Sequence, residues 1–78
     1  MKILIIEDEQ PAVARLTAAL ESAAENIVVQ GILGSVAGSV AWLQQHDAPD
    51  LIIMDIELSD GRSFQIFEQV KVDCPVIF

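Results

Sequence analysis

Two unbroken apolar runs, Ile3 to Ile6 and Leu51 to Met54, each stop abruptly at carboxylates, Glu7-Asp8 in the first case and Asp55 in the second. Runs of four apolar residues bounded in this way predict short strands buried on both faces, as in the interior of a parallel sheet. A third stretch, Ile27 to Leu33, is β-branched and apolar but holds Gln30 within it, which predicts a strand nearer the sheet edge. Val76, Ile77 and Phe78 follow Pro75 as the start of a fourth strand.

Between these runs the period of the pattern changes. Pro11 marks a helix start, where its missing N–H costs nothing. That helix is expected to run to about Ala24, with Val13, Leu16, Leu20 and Ala23 facing the sheet and Arg15, Thr17 and Glu21 in water. Gly34-Ser35 turns the chain, and Ser35 caps a second helix through about Gln45. Val36, Val40 and Leu43 form its inner stripe with Trp42 beside it, and His46 falls at its C-terminal end. Asp60-Gly61 signals another turn. Ser63 to about Val70 then predicts a third, short helix with Phe64, Phe67 and Val70 lining one face. Strand and helix alternate without an internal repeat or a low-complexity linker, which argues for one α/β domain built on a parallel sheet with right-handed crossovers.

In such a sheet, ligands bind outside the carboxyl ends of the strands. Glu7, Asp8 and Asp55 stand there if the first and third strands are neighbours. The bland alternative is that Asp55 merely opens a loop by bonding its own backbone; the matching acids after the first strand weigh against it. Two other candidates carry less. His46 is the only histidine and lies far in sequence from the acids, so an interaction with the helix terminus accounts for it better than a metal. The glycines at 31, 34 and 38 follow the second strand and do not form G-x-G-x-x-G.

Charge narrows the classes of partner. Twelve acidic against four basic side chains give a net charge of −8, which opposes direct binding to nucleic acid or anionic lipid. The single cysteine, Cys74, rules out an internal disulfide and fits a small apolar residue in a reducing compartment. The apolar run after Lys2 meets Glu7 to Glu9 too soon for a secretory signal, so the cytoplasm is the expected location. Asn26 to Gln45 carries no charge and contains a small-xxx-small spacing at Gly34 and Gly38. Its glutamine and serines, and flanks without basic anchors, argue against a membrane span.

Three crowded carboxylates with no base nearby in sequence repel one another. Either one keeps its proton or a hard cation neutralises the group, and an all-oxygen donor set suits Mg2+. Magnesium keeps several waters and is used with phosphates, so the cluster suits metal-assisted phosphoryl chemistry in which one carboxylate attacks phosphorus.

MKILIIEDE, PDLIIMDIELSDG and CPVIF together resemble a bacterial two-component response-regulator receiver domain, and the resemblance extends over the whole chain. The wording of the last two stretches is most similar to receivers of the LytTR class, whose output domain binds DNA. The resemblance implies a flavodoxin-like fold of strand order 2-1-3-4 with helices on both faces. It also implies Asp55 as phosphoacceptor, Glu7, Asp8 and Asp55 as Mg2+-binding acids, and the backbone carbonyl of Glu57 as a further ligand. A sensor histidine kinase would be the phosphodonor, and the chain itself would be no enzyme beyond self-catalysed phosphoryl transfer.

The 78 residues correspond to the N-terminal portion of a receiver. A helix, a fifth strand and a last helix, with a hydroxyl residue and a lysine that touch the phosphoryl group, would lie beyond Phe78. The isolated chain is therefore expected to be either loosely packed or a homodimer through its fourth-strand side. Leu58-Ser59 stands where many relatives carry a proline, which predicts a less constrained active loop. Two rivals remain at this point. One is a purely structural or dimerising receiver fragment without phosphorylation. The other is a phosphatase of the haloacid-dehalogenase type, which also uses an aspartyl nucleophile with an acid two residues on, as in Asp55-Ile56-Glu57, but places it after its first strand. A calcium loop starting at Asp55 fails, because Asp60 stands where Gly is required and Ile66 where the closing Glu belongs.

Overall fold

A computed structural model of the chain describes residues 1–23 and 25–78. Strands β1 (Lys2–Ile6), β2 (Val28–Leu33), β3 (Leu51–Met54) and β6 (Val76–Ile77) form a parallel sheet of order β2-β1-β3-β6. A hairpin of β4 (Glu57–Leu58) and β5 (Gly61–Arg62) stands apart from it. Helices α1 (Gln10–Ala23), α2 (Val36–Gln45) and α3 (Phe64–Gln69) occupy the crossovers. The expected order 2-1-3-4 is thus found, with β6 as the fourth strand of the sheet. The expected end of α1, about Ala24, falls on a residue outside those described.

Alternation along the strands assigns each apolar side chain to a face. Leu4, Ile6, Ile52 and Met54 share one face and pack with Val36 and Val40 of α2, Leu58 of the hairpin and Ile66 of α3. Ile3 and Ile5 of β1 are buried on the other face, aligned with Leu51 and Ile53 of β3. Helix α1 lies on that side, where Leu16 and Ile53 line a cavity of about 250 Å3 together with Phe78. Helices therefore cover both faces.

Several expectations about faces need correction. β3 is fully buried on one face alone, since Ile52 and Met54 are covered while Leu51 and Ile53 are half-buried. Ala23 of the α1 stripe is exposed. Thr17, expected in water, has its hydroxyl buried with no hydrogen-bond partner among the described residues. In α3 the inward residue is Ile66; Phe64 and Phe67 remain 45% and 39% exposed. Phe64 instead meets Phe78 edge to face, with ring centroids 5.3 Å apart.

β2 behaves as an edge strand. A bulge lies opposite the Ile3/Leu4 step, where the partner changes from Val29 to Gly31 and Gln30 is the extra, exposed residue. Gly31 gives room to Trp42, whose indole nitrogen would lie 3.1 Å from any added Cβ. Ser35 caps α2 by accepting a hydrogen bond from the Gly38 N–H at 2.9 Å. Among the described residues no helix is long and apolar enough to cross a membrane.

Candidate functional site

The strand register assembles the site. Ile6 lies opposite Met54, so the next residues of the two chains, Glu7 and Asp55, leave the sheet side by side. The Asp55 N–H donates to the Ile6 carbonyl at 2.8 Å and fixes this junction. One carboxylate oxygen from each of Glu7, Asp8 and Asp55 then falls within 4.8 Å of the others. The three acids predicted to converge are therefore together. Asp8 and Asp55 are exposed and Glu7 is half-buried. Asp8 and Asp55 open onto a cleft of about 520 Å3 that Glu9, Ile56, Glu57 and Leu58 also line, whereas Glu7 lines the smaller cavity with Leu16 and Phe78.

Among the described residues no basic side chain forms an ion pair with these acids. The one ion pair among the described residues, Lys71 with Asp73 at 3.9 Å, involves neither side of the cluster. Burial pushes the Glu7 carboxyl above its ordinary value of 4.5, and a hydrogen bond and charge repulsion from Asp55 push it further. The backbone N–H groups of Asp8 and Glu9 pull it partly back. Glu7 thus gives up its proton less readily than a free glutamate does. A site that competes for a proton in this way is also one that a hard cation with oxygen ligands would occupy. Asp55 Oδ1 accepts from the Ile56 N–H at 2.8 Å, which leaves Oδ2 as the oxygen without a backbone bond.

Glu57 stands in the hairpin, exposed, on the wall of the cleft. Its carbonyl is available for a simple reason. The Ser63 N–H donates to the Ile56 carbonyl at 2.8 Å, so Ile56 and Ser63 face each other as a hydrogen-bonded pair. Antiparallel pairs alternate, and Glu57 with Arg62 is the next, non-hydrogen-bonded pair. The hairpin therefore leaves the Glu57 carbonyl unused.

The hairpin was not anticipated, nor was what holds its tip. Asp60 Oδ1 accepts from the Val36 N–H at 2.6 Å and Oδ2 from the Ala37 N–H at 3.0 Å, so Asp60 caps α2 from 24 residues away in sequence. The Ser59 hydroxyl donates to the Gly34 carbonyl at 3.0 Å. The Ala37 and Val36 amides hold the Asp60 carboxyl below its ordinary value of 3.8. These bonds tie down the tip of a loop that, lacking a proline, was expected to be less constrained. Gly61 closes the turn with φ 147°, a conformation open to glycine, and a Cβ there would collide with Gln65 Oε1.

The two residues set aside in the sequence are placed accordingly. The His46 ring stacks on Trp42 with centroids 4.2 Å apart, and its Nδ1 lies 2.8 Å from the Trp42 carbonyl at the end of α2. Burial pushes the Cys74 thiol up, which lowers its thiolate fraction.

The response regulator receiver domain model matches residues 3–78. Among solved structures, a variant of the anti-anti-sigma factor PhyR from Bartonella quintana is similar, with a TM-score of 0.76 and 28% sequence identity. That likeness covers 99% of this chain and 32% of PhyR, so the chain spans about a third of that protein's length. Among curated proteins none matches. With all but its first two residues matched by the family, and with the acids of the first and third strands gathered at one sheet edge, the chain belongs to the response regulator receiver domains.

Proposed function

We propose that this segment is the phosphoacceptor module of a two-component signalling protein, phosphorylated on Asp55 with the help of Mg2+. The observation that carries the proposal is the meeting of Glu7, Asp8 and Asp55 within 4.8 Å with no basic partner. Glu7, Asp8, Asp55 and the Glu57 carbonyl would hold the ion. When bound, Mg2+ supplies positive charge against the oxygens of the phosphoryl group being transferred.

The rest is the work of the chain. The Ile56 N–H holds Asp55 Oδ1, which leaves Oδ2 without a backbone bond on a residue that lines the open cleft. Oδ2 attacks phosphorus; the new O–P bond forms as the P–N bond of a phosphohistidine breaks, and the imidazole leaves to be protonated by solvent. A sensor histidine kinase is the donor in this reading, and the chain is an acceptor rather than an enzyme. The product would regulate an output domain, DNA-binding if the LytTR likeness of PDLIIMDIELSDG extends to the whole protein. This segment, with net charge −8, is not itself the nucleic-acid-binding part. The cytoplasm is the compartment where such a donor meets it.

A phosphatase of the haloacid-dehalogenase type is disfavoured, because Asp55 follows β3 and not the first strand. A structural or dimerising role without phosphorylation is favoured by one observation, the exposed Ile77 on the outer strand and Phe78 just after it. Incubation with a small phosphodonor and Mg2+ separates the two. The expected result is one added phosphoryl group, absent in Asp55→Asn and absent after chelation. A chain that binds Mg2+ yet takes no phosphate under these conditions supports the structural role.

A further inference from the structure

The segment from Leu33 to Ala37 touches both halves of the site. On one side, the Glu7 N–H donates to the Leu33 carbonyl at 2.8 Å, and Gly34 lies beside Asp8, where an added Cβ would make ordinary contact with the Asp8 Cα at 3.5 Å. On the other side, the same segment receives Ser59 through the Gly34 carbonyl and Asp60 through the Val36 and Ala37 amides. The chain thus forms a bracket. It runs from the acids of β1, through the start of α2, to the tip of the hairpin, and back along the hairpin to Glu57 and Asp55. The base of the hairpin has further anchors in Asp55 on Ile6, Ser63 on Ile56 and the burial of Leu58 in the core, so loss of the tip bonds would shift the hairpin rather than unfold it.

We propose that Ser59 and Asp60 are positioning residues whose bonds to Gly34, Val36 and Ala37 set the separation between the β1 acids and the Glu57 carbonyl. Mg2+ affinity then depends on a carboxylate whose two oxygens are both taken by backbone N–H groups. The inference rests on the reading of the acids and Glu57 as the ion's ligands. Its physical basis is that a ligand set is only as well placed as the shell that holds it, and removal of such an outer partner commonly weakens metal binding by about 10–100-fold.

The test uses the full chain and four variants, Asp60→Ala, Asp60→Asn, Ser59→Ala and Ser35→Ala. Ser35→Ala is the control, because it removes a cap from the same end of α2 without touching the hairpin. Two readouts are taken well below the melting temperature: amide hydrogen exchange in metal-free protein, and Mg2+ affinity by calorimetry. Asp60→Ala should speed exchange at Val36 and Ala37 and weaken Mg2+ binding by about tenfold or more. Asp60→Asn, which keeps one acceptor oxygen, should recover part of both, and Ser59→Ala should lose less than Asp60→Ala. Ser35→Ala should speed exchange at Gly38 and leave the affinity unchanged. Wild-type affinity in Asp60→Ala, or an equal loss in Ser35→Ala, overturns the bracket alone. A wild-type chain that binds no Mg2+ overturns the metal reading as well, so the two failures are told apart.

Discussion

Glu7 and Asp60 are held away from ordinary carboxylate behaviour in opposite directions, and the signs separate their effects on stability. Glu7 titrates above its ordinary 4.5, so the folded state binds its proton more tightly than the unfolded state does. Its contribution to stability is complete below 4.5 and is lost as pH rises through the raised folded value. Asp60 titrates below its ordinary 3.8, so its contribution is present above that pH and is lost as pH falls through the lowered folded value. At neutral pH, without metal, Glu7 is therefore a burden and Asp60 a support. Glu7→Gln should melt higher than wild type at pH 7 in the presence of chelator, and the difference should shrink as the pH is lowered towards 4.5. Added Mg2+ should raise the wild-type midpoint more than that of Glu7→Gln. A lower midpoint for Glu7→Gln in chelator would show that the charge of Glu7 is structural and that repulsion within the cluster is not what governs it.

At the scale of elements, the short helix α3 separates what sequence discloses from what it hides. Phe64, Phe67 and Val70 and the alternative set Ser63, Ile66 and Val70 are both helically spaced, and one and a half turns of periodicity do not choose between them. The choice is made by the core, where Ile66 meets Leu58 and Met54 and is fully covered. Ile66→Ala should cost about 2–5 kcal/mol, a large part of the stability of so small a domain, whereas Phe64→Ala, half exposed, should cost about 1 kcal/mol or less. Urea titrations of the two variants give the ranking, and a larger loss for Phe64→Ala would mean that the helix sits rotated. β1, β3 and α2 were legible because their signals are local: an unbroken apolar run, or a serine before an apolar stripe. The convergence of Glu7, Asp8 and Asp55 was legible because it follows from strand order once β1 and β3 are neighbours. The Asp60 cap and the β4–β5 hairpin were not, because a cap is read from residues beside the helix and this one arrives from 24 positions away. The extra residue at Gln30 was read only as a sign of an edge, since a polar residue within a strand does not distinguish a bulge from simple exposure.

For the whole molecule, the question is which part of the surface is apolar and uncovered. The radius of gyration, 11.8 Å, is close to the value of about 11.5 Å expected for a folded chain of this length. Of the two consequences expected of the 78-residue chain, self-association would be concentrated at one side. β6 pairs with β3 and has no partner strand beyond it among the described residues, and Ile77 and Phe78 are 53% and 58% exposed, with the exposed ring of Phe64 against Phe78. An apolar strand edge of this kind is a template for pairing. β6 has only two residues, however, and two copies joined there would bury far less than the roughly 1,600 Å2 of a stable complex. Repulsion between two chains of net charge −8 acts against association as well, and salt screens it. The 78-residue chain should thus be monomeric when dilute, and should form a weak, rapidly exchanging dimer at high concentration that salt strengthens. Ile77→Lys, which places a charge on the edge, should abolish it without altering the near-ultraviolet signal of Trp42. Light scattering across a concentration series at low and high salt tests this, and a wild-type chain that stays monomeric throughout would show that two residues of free edge are too few to pair.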